Sequence, residues 1–176
     1  MPASNFKRGV PSAAVVACYN AVPSVLWSGL ALGPLVVCCY RYVEWGLVAL
    51  SLSAYAWPAA WLRRLQLARR VQVYQRLGVP RVGYVTQQGA LVNKLLRRRY
   101  PGYRALVGRR AVARLLSTTY QQERFHWAGL VFFLAISLYV GAAGQLGWAL
   151  GLALLNVGYN LYPIWLQQYL RVRLGH

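Results

Sequence analysis

Apolar residues in this chain come in long uninterrupted blocks rather than in the short periods of a soluble fold. Four blocks, near residues 21–40, 45–62, 125–144 and 146–166, approach or reach the roughly 20 residues that cross about 30 Å of hydrocarbon. The pattern predicts an all-α integral membrane protein with four transmembrane helices, forming one domain over 1–176. Pro23 and Pro34 predict a kinked first span, and Ser24, Ser28 and Gly29 suit close packing there. The first apolar run extends to Tyr40, well past the core of a secretory signal, so an uncleaved span is expected.

Between the second and third blocks the pattern changes. Residues 63–124 lack the hydrophobic mass for an independent core but hold short amphipathic pieces. Leu91, Val92, Leu95 and Leu96 recur at helical spacing before Arg97-Arg98-Arg99. Val112, Leu115, Leu116 and Thr119 form a second stripe beside Arg109, Arg110 and Arg114. Gly78-Val79-Pro80 and Tyr100-Pro101-Gly102 should break the helices between them. Amphipathic interfacial helices are expected here, apolar side down and cationic side toward anionic lipid head groups; docking of an anionic substrate is the other use of such a surface. Further on, Gly141-Ala142-Ala143-Gly144 predicts a tight hairpin between the last two spans. Gly147 and Gly151 form a GxxxG that could serve the hairpin or a homodimer.

Charge orients this arrangement. The chain has 20 Lys+Arg against 2 Asp+Glu, a formal net charge of +18. In a soluble protein that would suggest nucleic acid, but the apolar blocks exclude that reading. Lys7 and Arg8 precede the first span, Arg41 follows it, fifteen basic residues lie from Arg63 to Arg124, and Arg171 and Arg173 follow the last span. With four spans, the positive-inside rule places both termini and the central segment in the cytoplasm of a multi-pass cell-membrane protein. Glu44 beside Arg41 predicts a local ion pair at the outer edge. Cys18, Cys38 and Cys39 lack metal-ligand spacing, and no metal site is expected.

Candidate chemistry gathers at the cytoplasmic ends of the last two spans. Glu123 and His126 lie one helical turn apart where the third span begins, and a carboxylate beside an imidazole suits a general base acting on a hydroxyl. Glu-x-x-His is also a metal-ligand spacing, but carboxylate-bridged sites need further acids that this chain lacks. A purely structural role is the competing reading: Glu123 pairing with Arg124 or Arg171, His126 and Trp127 anchoring the interface. On the fourth span Asn156, Asn160 and Gln167 follow i, i+4, i+11, a face extending to Arg171 and predicting a polar stripe that descends from the interface. Pro163 leaves the carbonyl of Tyr159 as a further acceptor. Arg171 and Arg173 either end the span or hold a phosphate.

Glu123-x-x-His126-Trp127, then Asn160-Leu161-Tyr162-Pro163 and Gln167-Gln168-Tyr169-Leu170-Arg171-Val172-Arg173, resembles the glycosyl-4,4'-diaponeurosporenoate acyltransferase family of bacterial carotenoid tailoring. The resemblance is best over 120–174 and weaker over 74–100, where Tyr74 and Lys94 correspond to an aromatic and a lysine of the family. Gln168 stands where the family motif has arginine and Leu170 where it has asparagine; a Trp-Lys element of the family is missing from 79–85. The resemblance implies transfer of a fatty acyl group from a thioester donor such as acyl-CoA, with no resident cofactor, to a sugar hydroxyl of a glycosylated carotenoid or similar membrane glycolipid. It implies His126 as base with Glu123 orienting its ring. Asn156, Asn160, Gln167 and Tyr169 would contact substrate, and Arg171 and Arg173 the donor phosphates. Two other readings stand beside it. One is a non-catalytic membrane scaffold or lipid-binding assembly protein. The other is a membrane S-adenosylmethionine-dependent methyltransferase, suggested by Arg99-Tyr100-Pro101-Gly102-Tyr103.

Overall fold

A computed structural model describes residues 10–42, 45–84, 86, 89–104 and 108–175. The described residues are all helical or connecting, without a strand. In chain order the helices are α1 (Ala13–Tyr42), α2 (Trp45–Leu52), α3 (Ala59–Arg64), α4 (Val71–Arg76), α5 (Val79–Tyr84), α6 (Ala90–Arg99), α7 (Arg109–Ala142), α8 (Leu146–Asn156) and α9 (Tyr162–Arg173). A 3₁₀ turn, Ser53–Ala56, extends α2, and a π-helical turn, Val157–Leu161, joins α8 to α9.

Among the described residues three helices, not four, are long and apolar enough to cross a membrane: α1 over Ala13–Leu30, α7, and the continuous α8–α9 unit Leu146–Arg173. The expected second span is broken. Proline at 58 has no N–H and forces the preceding residue out of the helical region, so Trp57 is extended at φ −65°, ψ 126°. The apolar helix Trp45–Ala56 stops there, and α3 starts anew after Pro58. The carbonyl of Trp57 left over at the break accepts a hydrogen bond from Arg124 Nε at 2.9 Å, which satisfies a backbone group that lipid could not. Leu47 and Val48 pack on Phe132, Ile136, Val140 and Leu152, while the Trp57 ring meets Trp127 at 5.7 Å. The broken segment therefore runs antiparallel along the apolar half of α7 and returns the chain to the level of Glu123.

The third expected span and the amphipathic stripe before it are a single helix. Thirty-four residues make α7 about 51 Å long, more than the hydrocarbon needs, so its basic first turns project beyond the apolar layer. The hairpin forms where the glycines predict it. Gly144, at φ +80°, ends α7 with its N–H on the Gly141 carbonyl at 3.0 Å, and Gln145 N–H reaches back to Val140 at 3.1 Å. This paired closure needs a left-handed residue, which glycine adopts at little cost. Close approach across the hairpin is made by Gly141, whose notional Cβ would lie 3.4 Å from that of Ala149. Gly147 and Gly151 have no atom within that reach, so the GxxxG does not form the hairpin contact.

The central segment is only partly interfacial. Gly78, at φ +72°, and Tyr100 end helices as expected. Tyr74 and Val79, however, are fully buried against Leu166 and Tyr169 of α9, forming a second small core. In α6, Val92 and Leu96 turn inward while Leu91 and Leu95 remain exposed. The outer surfaces of α1, α7 and α8 expose Val25, Leu26, Leu138, Leu146, Leu150 and Leu154, an apolar coat compatible with a multi-pass membrane protein. The expected Arg41–Glu44 pair involves Glu44, which lies outside the described residues, as do the side chains of Cys38 and Cys39.

Candidate active site

Two polar clusters sit side by side between α7 and α9. The first is closed. Glu123 is 0% exposed and Arg171 1%, and they form an ion pair through Oε2 and Nη2. Glu123 Oε1 accepts from Gln168 Nε2 at 2.8 Å. Gln168 Oε1 in turn accepts from Leu67 N–H at 3.0 Å and lies 3.3 Å from the Tyr74 hydroxyl, which also bonds the Ala68 backbone. Arg171 Nη1 approaches Thr119 Oγ1 at 3.4 Å, and its guanidinium lies 4.3 Å from the centre of the Tyr120 ring. Burial is the largest influence on the Tyr74 phenol and pushes its pKa up, keeping it a hydrogen-bond donor. The cluster ties the strand of chain at 65–74 to both helices. Both Glu123 oxygens are engaged by α9 and neither engages His126, contrary to the expectation that this carboxylate orients the ring.

The second cluster opens on a cavity. His126 Nδ1 lies 3.5 Å from Asn160 Oδ1. Asn160 Nδ2 donates to Asn156 Oδ1 at 2.8 Å, and Asn156 Nδ2 donates to the Leu130 carbonyl at 3.0 Å. The direction of this relay follows from its far end. A carbonyl only accepts, so Asn156 must turn its NH₂ to Leu130 and its oxygen to Asn160. Asn160 must then turn its NH₂ to Asn156 and its oxygen to the imidazole. The carbonyl of Tyr159, whose α-helical donor Pro163 removes, also meets the ring. The acceptor that Asn160 presents to Nδ1 favours the tautomer with its proton on that nitrogen. Histidine-selective ¹⁵N NMR tests this simply, because His176 is the only other histidine. In a His176→Ala background the neutral ring should show protonated Nδ1, and Asn156→Leu should release Asn160 and admit the other tautomer.

Gly129 makes the relay possible. A Cβ there would lie 2.5 Å from Asn160 Oδ1, 3.0 Å from its Cγ and 3.2 Å from its Nδ2. Gly129→Ala is expected to push Asn160 away from His126 and lower activity by more than tenfold while raising intrinsic helix propensity by about 1 kcal/mol. Thermal unfolding and turnover measured on the same preparation separate these effects.

The cavity, about 1850 Å³, lies between α1 on one side and α7 and α9 on the other. Trp27 closes its inner end by meeting the Tyr159 ring edge-on at 5.8 Å. Pro23, Val48, Phe132 and Phe133 give it an apolar wall; Lys94, Arg97, Arg98, Arg104 and Arg173 give it a cationic one. His126, Asn156, Asn160, Gln167 and Tyr169 line it, whereas Glu123 and Arg171 do not. The expected face Asn156, Asn160, Gln167, Arg171 is therefore split. The π turn holds one residue more than an α-helical turn and rotates everything beyond it. Within α9, Gln168 and Arg171 lie three residues apart and face Glu123, while Gln167 lies on the cavity wall. Sequence reasoning missed Gly129 and the part played by Gln168; it named Arg97-Arg98-Arg99 and the docking of an anionic substrate there, but not which cations of α6 reach the cavity. The i, i+3, i+4 spacing of Lys94, Arg97 and Arg98 is the signal that picks these out.

The fold and site define a class: an all-helical protein with three helices able to cross a membrane and a histidine–amide site at the wall of a cavity that is part apolar, part cationic. The chain belongs to the glycosyl-4,4'-diaponeurosporenoate acyltransferase family, CrtO, whose family model matches residues 58–176 and so takes in both polar clusters and the cationic helix. No curated protein and no solved structure matches the chain.

Proposed function

We propose that this protein transfers a fatty acyl group from a thioester donor to a sugar hydroxyl of a glycosylated carotenoid or similar glycolipid. The observation that carries this reading is the His126 imidazole, met at Nδ1 by Asn160 and lining a cavity with an apolar and a cationic wall. The apolar wall accommodates a polyene or acyl chain from the bilayer, and the sugar reaches the polar level of His126.

In the proposed step Nε2 accepts the proton of the acceptor hydroxyl as its oxygen bonds to the thioester carbonyl carbon. The tetrahedral intermediate collapses by breaking the C–S bond, and the imidazolium returns the proton to the departing thiolate. Ester and thiol are formed with no acyl-enzyme, so no Ser or Cys nucleophile is required. Asn160 acts on His126 rather than on substrate, since its amide nitrogen is committed to Asn156. Gln167, on the cavity wall, is the amide placed to stabilise the oxyanion. Glu123 and Arg171 act by holding α7 to α9 and not by touching substrate.

The reading places the basic central segment and both termini on the cytoplasmic side of the cell membrane. The broken segment 45–62 carries the chain back across, and the exposed cations meet anionic head groups. Purified protein in nanodiscs, given an acyl-CoA and a glycosylated carotenoid carboxylate, should yield the sugar ester by mass spectrometry, with no hydroxylamine-sensitive acyl-enzyme. Absence of ester with every lipid acceptor offered, together with saturable binding of S-adenosylmethionine, would replace this reading with the methyltransferase one.

A further inference from the structure

Resting on the proposed function, the geometry points to a subsite for the polyphosphate of a nucleotide-linked thioester, formed by Lys94, Arg97 and Arg98 on α6 with Arg104 and Arg173. Of the fifteen basic residues between Arg63 and Arg124, only four line the cavity, and three of these share one face of α6 at i, i+3 and i+4. Arg104, beyond the turn at Tyr100–Gly102, and Arg173, at the end of α9, face the same space. The remaining cations of the segment are not on the cavity wall and suit a general attraction to lipid head groups.

Three further observations favour a bound polyanion. The chain has only two acidic residues. One of them, Glu123, is sealed in its pair with Arg171. The charges on α6 repel one another along one helix face, and an anion from outside would relieve that repulsion. Finally, the same cavity continues to His126, so an anion held at this end can present its thioester to the base. The number of charges narrows the ligand. A carrier-protein prosthetic arm brings a single phosphodiester charge. A nucleotide diphosphate with an additional phosphate monoester brings about four, a better match to five cations. Arginine recognises such groups through paired N–H donors, and lysine acts as a point charge.

Binding can be read without turnover. Coenzyme A, without an acyl chain, is titrated calorimetrically into purified full-length protein in non-ionic detergent. Saturable binding that weakens steeply with added salt is expected. The Lys94→Gln/Arg97→Gln/Arg98→Gln variant should bind at least about tenfold more weakly, a loss expected when several charge-assisted contacts are removed together. A control triple, Arg63→Gln/Arg64→Gln/Arg69→Gln, lies off the cavity wall and should bind like the parent.

Equal weakening by both triples would reduce the subsite to general charge attraction and overturn it. Equal affinity for 4'-phosphopantetheine would transfer the site to a carrier-protein donor, and full displacement by phosphatidylglycerol micelles would transfer it to a lipid head group. Either result removes the proposal. Coenzyme A binding without ester formation would instead sink the proposed reaction and leave the subsite standing. Ester formation from a carrier-protein donor, without coenzyme A binding, would do the reverse.

Discussion

His126→Ala is expected to lower acyl transfer by about 10²–10⁴-fold, the usual contribution of a positioned general base, while the protein stays folded in detergent. The structural cost is small because the ring is half-buried and makes one long side-chain hydrogen bond, at 3.5 Å, to Asn160. Such a bond contributes about 1 kcal/mol. The exposed Phe125, meeting the imidazole edge-on at 5.1 Å, is the other ring in contact. The loss should appear in kcat with KM for the acyl donor unchanged, since the cationic end of the cavity is untouched. Unchanged turnover would remove the mechanism. A loss matched by a collapse in thermal stability would reassign His126 to the fold.

Substitutions at Glu123 should behave in the opposite way. Glu123→Ala leaves the Arg171 guanidinium buried without its carboxylate and strips Gln168 of its acceptor. Breaking a buried pair from one side costs on the order of 3–5 kcal/mol, against a typical total stability of 5–15 kcal/mol. The expected result is a large fall in the detergent unfolding midpoint and in yield, insensitive to salt because solvent does not reach the pair. Arg171→Met should fall comparably. The double variant Glu123→Leu/Arg171→Met should recover much of the loss, since neither charge is then stranded. A chemical role for Glu123 predicts a different outcome: Glu123→Gln would retain the unfolding midpoint and lose turnover. The pair of experiments therefore separates two residues that lie one helical turn apart and that spacing alone would make one catalytic unit.

Much of the architecture was legible because lipid solvent makes strong demands. Apolar block length identified the spans, charge asymmetry identified a basic central segment, and Gly141–Gly144 marked the hairpin. Breaks at Gly78 and Tyr100–Gly102 followed from backbone preferences that no packing overrides. The second span failed for a local reason. Pro58 lies near the end of the block at 45–62, and average hydropathy does not register a missing N–H. Whether such a proline kinks a helix or ends it depends on how the backbone groups at the break are satisfied. Here the Ala54 carbonyl, which Pro58 cannot serve, accepts from Trp57 N–H at 3.3 Å, and Arg124, 67 residues away, donates to the Trp57 carbonyl.

By itself the sequence determined the all-helical class, the apolar elements, the family, and the candidacy of His126, each of which depends on composition, spacing or chain neighbours. Only the tertiary structure decided what each polar group does. A helix face is readable from sequence while every turn has 3.6 residues, and the π turn at Val157–Leu161 ends that regularity. Past it Gln168 and Arg171 pack onto Glu123, and Gln167 lies on the cavity wall with Asn156 and Asn160. With its carboxylate thus taken, the imidazole is held instead by Asn160, at a separation that Gly129 alone permits. Partner choice among buried polar groups is a matter of ångström-scale register between helices, and register is a property of packing rather than of spacing along the chain.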